Sequence, residues 1–295
     1  MIRIVTDTTA CLPADVAKRY DIPVLPQIVC FGTESFREGL DIDHATFLQR
    51  LTAAADLPKT AAPPPRLFVE VFERLVPSGA SILCIHPSAE VSGTVRAATA
   101  AAAEFADADI RVLDTRVAGS PMGSMVSQAA AWAAQGIDAD KIEMRLRDSI
   151  ERCRVCFMVD TLEFLQRGGR IGGAAALLGS VLRIKPILTF RDGRVEQLER
   201  ERTTSRALAR LTELARHSCP PGPEGRLTVM HASALQRAER VADDLRQLLG
   251  LADVPVMDAP PAIVTHAGPG LVGLGFFVAP GNLPSEGDND ARSTG

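Results

Sequence analysis

Between residues 65 and 152 the sequence alternates short apolar runs with longer stretches whose apolar side chains recur every three or four positions. The spacing predicts a helix over 65–76, a strand over 80–86 (ASILCIH), a helix over 92–105, a strand over 110–114 (IRVLD), and helices over 119–135 and 138–152. Strands joined through helices with links of a few residues form a parallel, doubly wound sheet. Upstream, residues 2–6 (IRIVT) read as a strand leading into a helix around 13–20. A strand near 24–30 and a helix over 43–56 follow. The proline cluster running from Pro58 to Pro65 cannot continue that helix and is expected to be an exposed, extended loop.

After residue 155 the texture changes. VCFMVD reads as a strand, GGRIGG (168–173) as a glycine-rich break, and ILTFRDGRVEQL as a hairpin turning at Asp192-Gly193. A helix over 203–217, a strand over 226–231, a helix over 233–249 and a strand near 253–257 complete a second unit with some antiparallel pairing. At 295 residues the chain exceeds the usual single-domain size. The expected fold class is therefore α/β with two domains. An N-terminal domain (1–155) carries a doubly wound, mostly parallel sheet, and a C-terminal α/β domain (156–283) carries a mixed sheet. The polar tail 284–295 is expected to be disordered.

Composition removes several functions. With 4% aromatic residues and a net charge of −4, neither base stacking nor a phosphate-backbone surface is favoured, so no nucleic-acid partner is expected. The opening MIRIVTDTTA lacks the apolar core of a signal peptide, and no run approaches about 18 apolar residues, so a cytoplasmic location is expected. The six cysteines sit in apolar runs at irregular spacing, as buried thiols do in a reducing compartment. Cys153 and Cys156 form a C-x-x-C with no second pair for zinc, and read as buried residues entering a strand.

Ser92-Gly93-Thr94, between a predicted strand and an alanine-rich helix, is the most informative local motif. Hydroxyls and a glycine at a helix start offer free N–H groups and the positive end of the dipole to an anion. A plain N-cap by Ser92 is the alternative. Asp7-Thr8-Thr9, Thr60 and Asp114-Thr115 also follow predicted strands or close loops, and in a parallel sheet such positions meet at one edge. In the second half, His266 lies in a flexible THAGPG stretch before the closing apolar segment. Arg170 and Arg202 are the cations expected nearest an anion, or are solvated surface side chains. GPGLVG (268–273) is followed by too little chain for a dinucleotide site. No phosphate loop or H-E-x-x-H motif is present, and no cofactor or metal is expected. A serine hydrolase or acyltransferase using Ser92 and His266 remains open, since triads are recognised by geometry.

Taken together, IVTDTTACLP (4–13), EGLDID (38–43), PKTAAPPP (58–65), VSGTVRAA (91–98), VLDT (112–115), LEFLQRGGRIGG (162–173), LRIKPIL (182–188) and HAGPG (266–270) resemble the DegV family of fatty-acid-binding proteins. The resemblance spans residues 1 to about 280. It implies one long-chain fatty acid buried between two α/β domains, the carboxylate near their interface and the acyl tail in the C-terminal domain. Thr60, Ser92 and His266 are the implied carboxylate ligands, assisted by the Gly93 backbone; Thr94 and Gly268 complete the candidate ligand-binding set. Arg170 and Arg202 are implied headgroup or partner contacts. The resemblance further implies a carrier, not an enzyme, that presents its fatty acid to a separate ATP-dependent fatty acid kinase for acyl-phosphate formation, with transient membrane contact. One departure stands out: many such proteins carry a serine and a polar residue where this chain has Ala61 and Ala62.

Overall fold

A computed structural model describes residues 1–178 and 184–281. The first stretch runs β1 (Ile2–Asp7), α1 (Ala14–Arg19), β2 (Val24–Leu25), β3 (Ile28–Phe31), β4 (Glu34–Arg37), α2 (His44–Ala53) and β5 (Lys59–Ala61). Next come α3 (Pro65–Leu75), β6 (Ser81–His86), α4 (Thr94–Ala102), β7 (Ile110–Asp114), α5 (Ser120–Ala134) and α6 (Ala139–Arg152). The second half holds β8 (Cys153–Met158), α7 (Glu163–Arg167), β9 (Lys185–Arg191), β10 (Arg194–Glu201) and α8 (Thr204–Ser218). It closes with β11 (Thr228–His231), α9 (Leu235–Leu249), β12 (Val256–Asp258), α10 (Pro261–Ala267) and β13 (Val272–Phe277).

The doubly wound reading is realised in a parallel sheet of order β2-β1-β6-β7. The middle of the central strand β6, residues 82–85, is continuously apolar because both faces are covered. On β6, Ile82 and Cys84 pack with Phe68 and Phe72 of α3 and Ala98 of α4. Leu83 and Ile85 face Met122 and Val126 of α5 and Ile142 of α6. A mixed sheet of order β10-β9-β8-β13-β11-β12 follows, antiparallel except for the β11–β12 pair. The β9–β10 hairpin turns at Asp192 (φ 49°) and Gly193 (φ 80°), the paired positive φ values that such a turn requires.

The two sheets meet through α5 and β13. In VGLGFF, Val272, Leu274 and Phe276 face the α8–α9 core, and the glycines lie on the other side. A Cβ on Gly275 would stand 2.6 Å from Cδ of Pro121, so the bare backbone admits the start of α5. Ser120 Oγ lies 2.8 Å from Thr228 Oγ1 in the same buried contact. The expected domain boundary at 155/156 falls within β8, whose Cys153 packs in the first core and whose Cys156 packs in the second. Burial pushes both thiols up to about 12.

Three expectations need correction. Residues 24–30 do not form one strand: Pro26 lacks the N–H to continue the ladder, so β2 pairs with β1 and β3 departs to a separate antiparallel sheet of order β4-β3-β5. The proline-flanked segment is not merely an exposed loop, because Lys59–Ala61 retain their N–H groups and pair with β3, Thr60 opposite Val29. Finally, residues 261–267 form α10, which begins with Pro261 at its first position. This small sheet and α2 share a core with α10: Val29, Ile42 and Phe47 pack in one cluster with Val264 and Leu271. The expected tail 284–295 lies outside the described residues, as do 282 and 283.

Candidate functional site

A cavity with an open mouth lies between the C-terminal ends of the parallel strands and the inner face of the mixed sheet. Its walls are largely apolar: Phe157, Phe190 and Leu271 belong to the second half of the chain, Ala118 and Pro121 to the first. Gly273 also lines it, so β13 contributes bare backbone where a side chain would take up space. Its polar lining includes Thr60, Ser92, Arg170 and His266, and also Thr9, Gln27 and Ser120.

Two of these residues, from opposite parts of the chain, are brought together by β5 and α10. Thr60 Oγ1 lies 2.7 Å from Nε2 of His266. Burial, and then the charge of Arg170, push the imidazole down to about 4, so His266 is neutral at pH 7. Its Nδ1 is buried without a partner. The Nε2–H tautomer therefore puts the single ring proton on the nitrogen that has an acceptor. The Thr60 hydroxyl then keeps its own hydrogen to donate into the cavity. Gly168 makes room for this ring, because a Cβ there would stand 2.3 Å from Nδ1. The glycine-rich break of the sequence is explained here by close approach.

Ser92 arrives by another route. It precedes α4, whose N-cap is Gly93 rather than Ser92. Ser92 Oγ lies 2.8 Å from Thr94 Oγ1 and accepts the Thr94 N–H at 3.3 Å. Thr94 in turn accepts from Gln27 Nε2 at 2.9 Å, and the same nitrogen donates to Asp7 Oδ1 at 3.0 Å. Asp7 Oδ2 lies 2.7 Å from Nδ1 of His86, and both side chains are fully buried. The hydroxyl at the cavity is thus held by a chain of buried polar groups, in which each member restricts the next.

A second buried carboxylate ties this loop to α10. Glu38 accepts the Ala262 N–H at 2.9 Å and a hydrogen bond from the Thr8 hydroxyl. Burial pushes its carboxyl up to about 7.

Of the sequence candidates, Thr60, Ser92, Gly93, Arg170 and His266 line the cavity. Arg170 is clamped by the carbonyls of Val91 (3.0 Å) and Gly168 (2.6 Å). Thr94 stands behind Ser92 and is fully buried. Gly268 ends α10 at φ 79°, gives its N–H to Val264 O at 2.8 Å, and approaches the Phe164 ring where a Cβ would stand at 2.5 Å. It shapes the turn and does not line the cavity. Arg202 is exposed and lies away from it. Asp114 and Thr115 also lie outside: Asp114 caps the N–H groups of Ala89 and Arg116, and Thr115 bonds the His86 carbonyl. Ala62 lines the cavity, whereas Ala61 is exposed.

Gln27 and Glu38 were missed by sequence reasoning. Gln27 follows a proline in a segment that reads as an ordinary strand, and Glu38 looks like a surface acid. No hydrogen bond joins Ser92 to His266, since each side chain is engaged elsewhere. Among the described residues no group of three or more His, Cys, Asp or Glu is arranged to hold a metal, and no helix is long and apolar enough to cross a membrane.

Known proteins share this architecture. Residues 1–279 match the model of a family described as "Uncharacterised protein, DegV family". A DegV domain-containing protein of Halalkalibacterium halodurans is 36% identical over 278 residues, covering 94% of this chain and 98% of that one. A DegV family protein from Thermus thermophilus, solved as a fatty-acid binder, superposes with a TM-score of 0.87 at 31% identity, covering 94% of this chain and 99% of that one. DegV of Bacillus subtilis, described as a fatty acid binding protein, gives 0.84 at 30% identity, with coverage of 94% and 99%.

Proposed function

The chain belongs to the DegV family, and on that premise we propose that it binds one long-chain fatty acid with the carboxylate at the Thr60–His266 end of the cavity and the tail along its apolar walls. Thr60 and Ser92, with the Gly93 backbone, receive the carboxylate, and His266 completes the set by donating its Nε2–H to Thr60, which leaves the Thr60 hydroxyl free to donate. Thr94 acts at one remove by holding Ser92, Gly268 acts by ending α10, and Arg170 supplies positive charge nearby. Residues 1–155 form the domain that carries the headgroup loops, and 156–283 the domain that encloses the tail. The protein works in the bacterial cytoplasm as a carrier. It presents the carboxylate to a separate ATP-dependent fatty acid kinase, and transient contact with the membrane exchanges its cargo. In the kinase reaction a carboxylate oxygen attacks the γ-phosphorus of ATP, the bond to the β,γ-bridging oxygen breaks, and acyl-phosphate and ADP result. Exposed Arg202 is the contact offered to the kinase.

The observation that carries this reading is the make-up of the cavity: a predominantly apolar lining that takes in the paired Thr60 hydroxyl and His266 imidazole. A chain of sixteen carbons buries about fourteen methylenes at about 0.8 kcal/mol each, or about 11 kcal/mol before the costs of ordering. The tail supplies affinity. Each hydrogen bond to the head contributes about 1.5–3 kcal/mol against an expensive desolvation, so the polar end fixes orientation.

Organic extraction of the purified protein followed by mass spectrometry is expected to release about one free fatty acid per chain. An extract without lipid overturns the reading.

A further inference from the structure

The inner face of the mixed sheet meets the cavity in successive rows, because alternate residues of a strand share a face. Leu271 forms the first row; it follows α10, which carries His266, by a few residues, and its carbonyl accepts the Ala232 N–H at 3.0 Å. In the second row Met230 and Phe157 flank Gly273. The third row sets Thr228 and Val155 on either side of Gly275. Cys156 stands opposite Thr189, so Phe190 follows beside Val155, with Val195 opposite Phe190. Half of this third row is sealed: Pro121 covers Gly275, and Ser120 meets Thr228. The other half, Val155, Phe190 and Val195, lines the cavity. In the fourth row Phe277 stands opposite Cys153, and both are buried in the core beneath the parallel sheet. The cavity therefore has a floor. Val155 and Phe190 form it, since they line the cavity and also pack against that core. Two rows separate them from Leu271, or about 14 Å along the strands.

We propose that Val155 and Phe190 stop the methyl end of the acyl tail and so set the longest chain the protein binds. The inference rests on the fatty-acid reading above and adds to it the residues that select chain length. Both are firmly held. Thr189 Oγ1 donates to the Val155 carbonyl at 2.7 Å, and the Phe190 ring lies 6.2 Å from the Phe157 ring. A floor on a hydrogen-bonded strand with a packed core behind it yields little. Each methylene that finds room above it tightens binding about fourfold, and the first that does not adds nothing.

Affinities of straight-chain saturated acids of ten to twenty carbons, measured by competition on the delipidated full-length protein, test the assignment. In wild type the gain per carbon is expected to continue up to one length and stop there. Val155→Ala deepens the floor, and the break should move about one or two carbons longer. Val155→Phe raises it, and the break should move about two carbons shorter. Phe190→Leu should lengthen the accepted chain as Val155→Ala does. The opposite signs separate a stop from a general loosening of the fold. A break at one length in all four proteins, or a loss spread evenly over every length, overturns the proposal. Wild-type affinity that rises through twenty carbons overturns it alone, whereas wild type that binds none of the acids overturns the fatty-acid reading with it.

Discussion

Thr60 Oγ1 and His266 Nε2 stand 2.7 Å apart although 206 positions separate them in the chain. The contact requires β5, held at the edge of the small sheet, to meet the last turn of α10, and both elements depend on the shared core of Val29, Phe47 and Val264. The polar end of the cavity is thus assembled by tertiary packing, and its hydrogen bonds contribute little to holding the fold together. Substitutions there should separate binding from stability.

For Ser92→Ala and His266→Ala the expectation is impaired headgroup positioning with modest loss of stability. Each removes one hydrogen-bonding side chain at a cavity wall, for about 0.5–1.5 kcal/mol of folding free energy. Loss of a bond to a charged carboxylate, direct for Ser92 and by way of a misplaced Thr60 hydroxyl for His266, costs about 1.5–3 kcal/mol of binding, a drop of roughly ten- to a hundredfold. Denaturant melts and acyl-phosphate formation in a reconstituted kinase assay measure the two effects. Full activity in both variants would defeat the assignment of these residues.

The pH dependence separates two buried groups. Glu38 has its folded pKa raised from 4.5 to about 7, so between those values the folded state binds more protons. Its contribution is fully present below pH 4.5 and is lost as pH rises through 7, by up to about 3 kcal/mol. His266 runs the other way. Its folded pKa is lowered from 6.5 to about 4, so its neutral form favours folding above pH 6.5, and stability is lost as pH falls towards 4. Glu38→Gln keeps an acceptor for Ala262 N–H and removes the ionisation. Urea melts from pH 5 to 8 are expected to show the variant gaining on wild type as pH rises; a constant difference contradicts the assignment to Glu38.

Gly168→Ala tests the support behind His266. The added Cβ would stand 2.3 Å from Nδ1 and 2.9 Å from the Phe164 carbonyl, so the imidazole must leave its place against Thr60. Overpacking of this kind costs about 1–3 kcal/mol. Binding of palmitate should fall at least as far as in His266→Ala, with the His266 ring resonances displaced in NMR spectra of the variant. An unshifted ring with wild-type affinity would show that the glycine is there for another reason.

Much of this architecture was legible in the sequence because periodicity reports burial. The continuous apolar run SILCIH gave β6, since alternate residues enter two different cores. The spacing of ADKIEMRLRDSIER gave α6, and Asp192-Gly193 gave the hairpin. The three-residue strand β5 is too short for periodicity, and its register depends on β3, which Pro26 redirects. Thr60, Ser92 and His266 stand out from local pattern, and the family resemblance joins them as one ligand set. Gln27 and Glu38 were missed because an amide and an acid become structural only when folding buries them against Thr94 and Ala262. Arg202 and Gly268, grouped with the site by neighbouring motifs, lie outside the cavity lining because adjacency along a chain does not fix which surface a residue faces.

The alanines after Thr60 mark where this chain differs from the pattern it resembles, and they are not equivalent. Ala61 is exposed, so its replacement by a polar residue should leave binding unchanged. Ala62 lines the cavity, with its Cβ 3.5 Å from where a Cβ on Gly93 would stand. A hydroxyl at that position faces the same end as Thr60 and Ser92. In Ala62→Ser the added donor meets a charged acceptor, and about 1–2 kcal/mol of extra headgroup binding is expected after part of the gain is spent on ordering the side chain. Competition between palmitate and the uncharged palmityl alcohol isolates that contribution, because both ligands bury the same tail. The preference for palmitate should rise about five- to thirtyfold in Ala62→Ser and stay constant in Ala61→Ser. An equal response in the two variants would mean that Ala62 does not meet the headgroup.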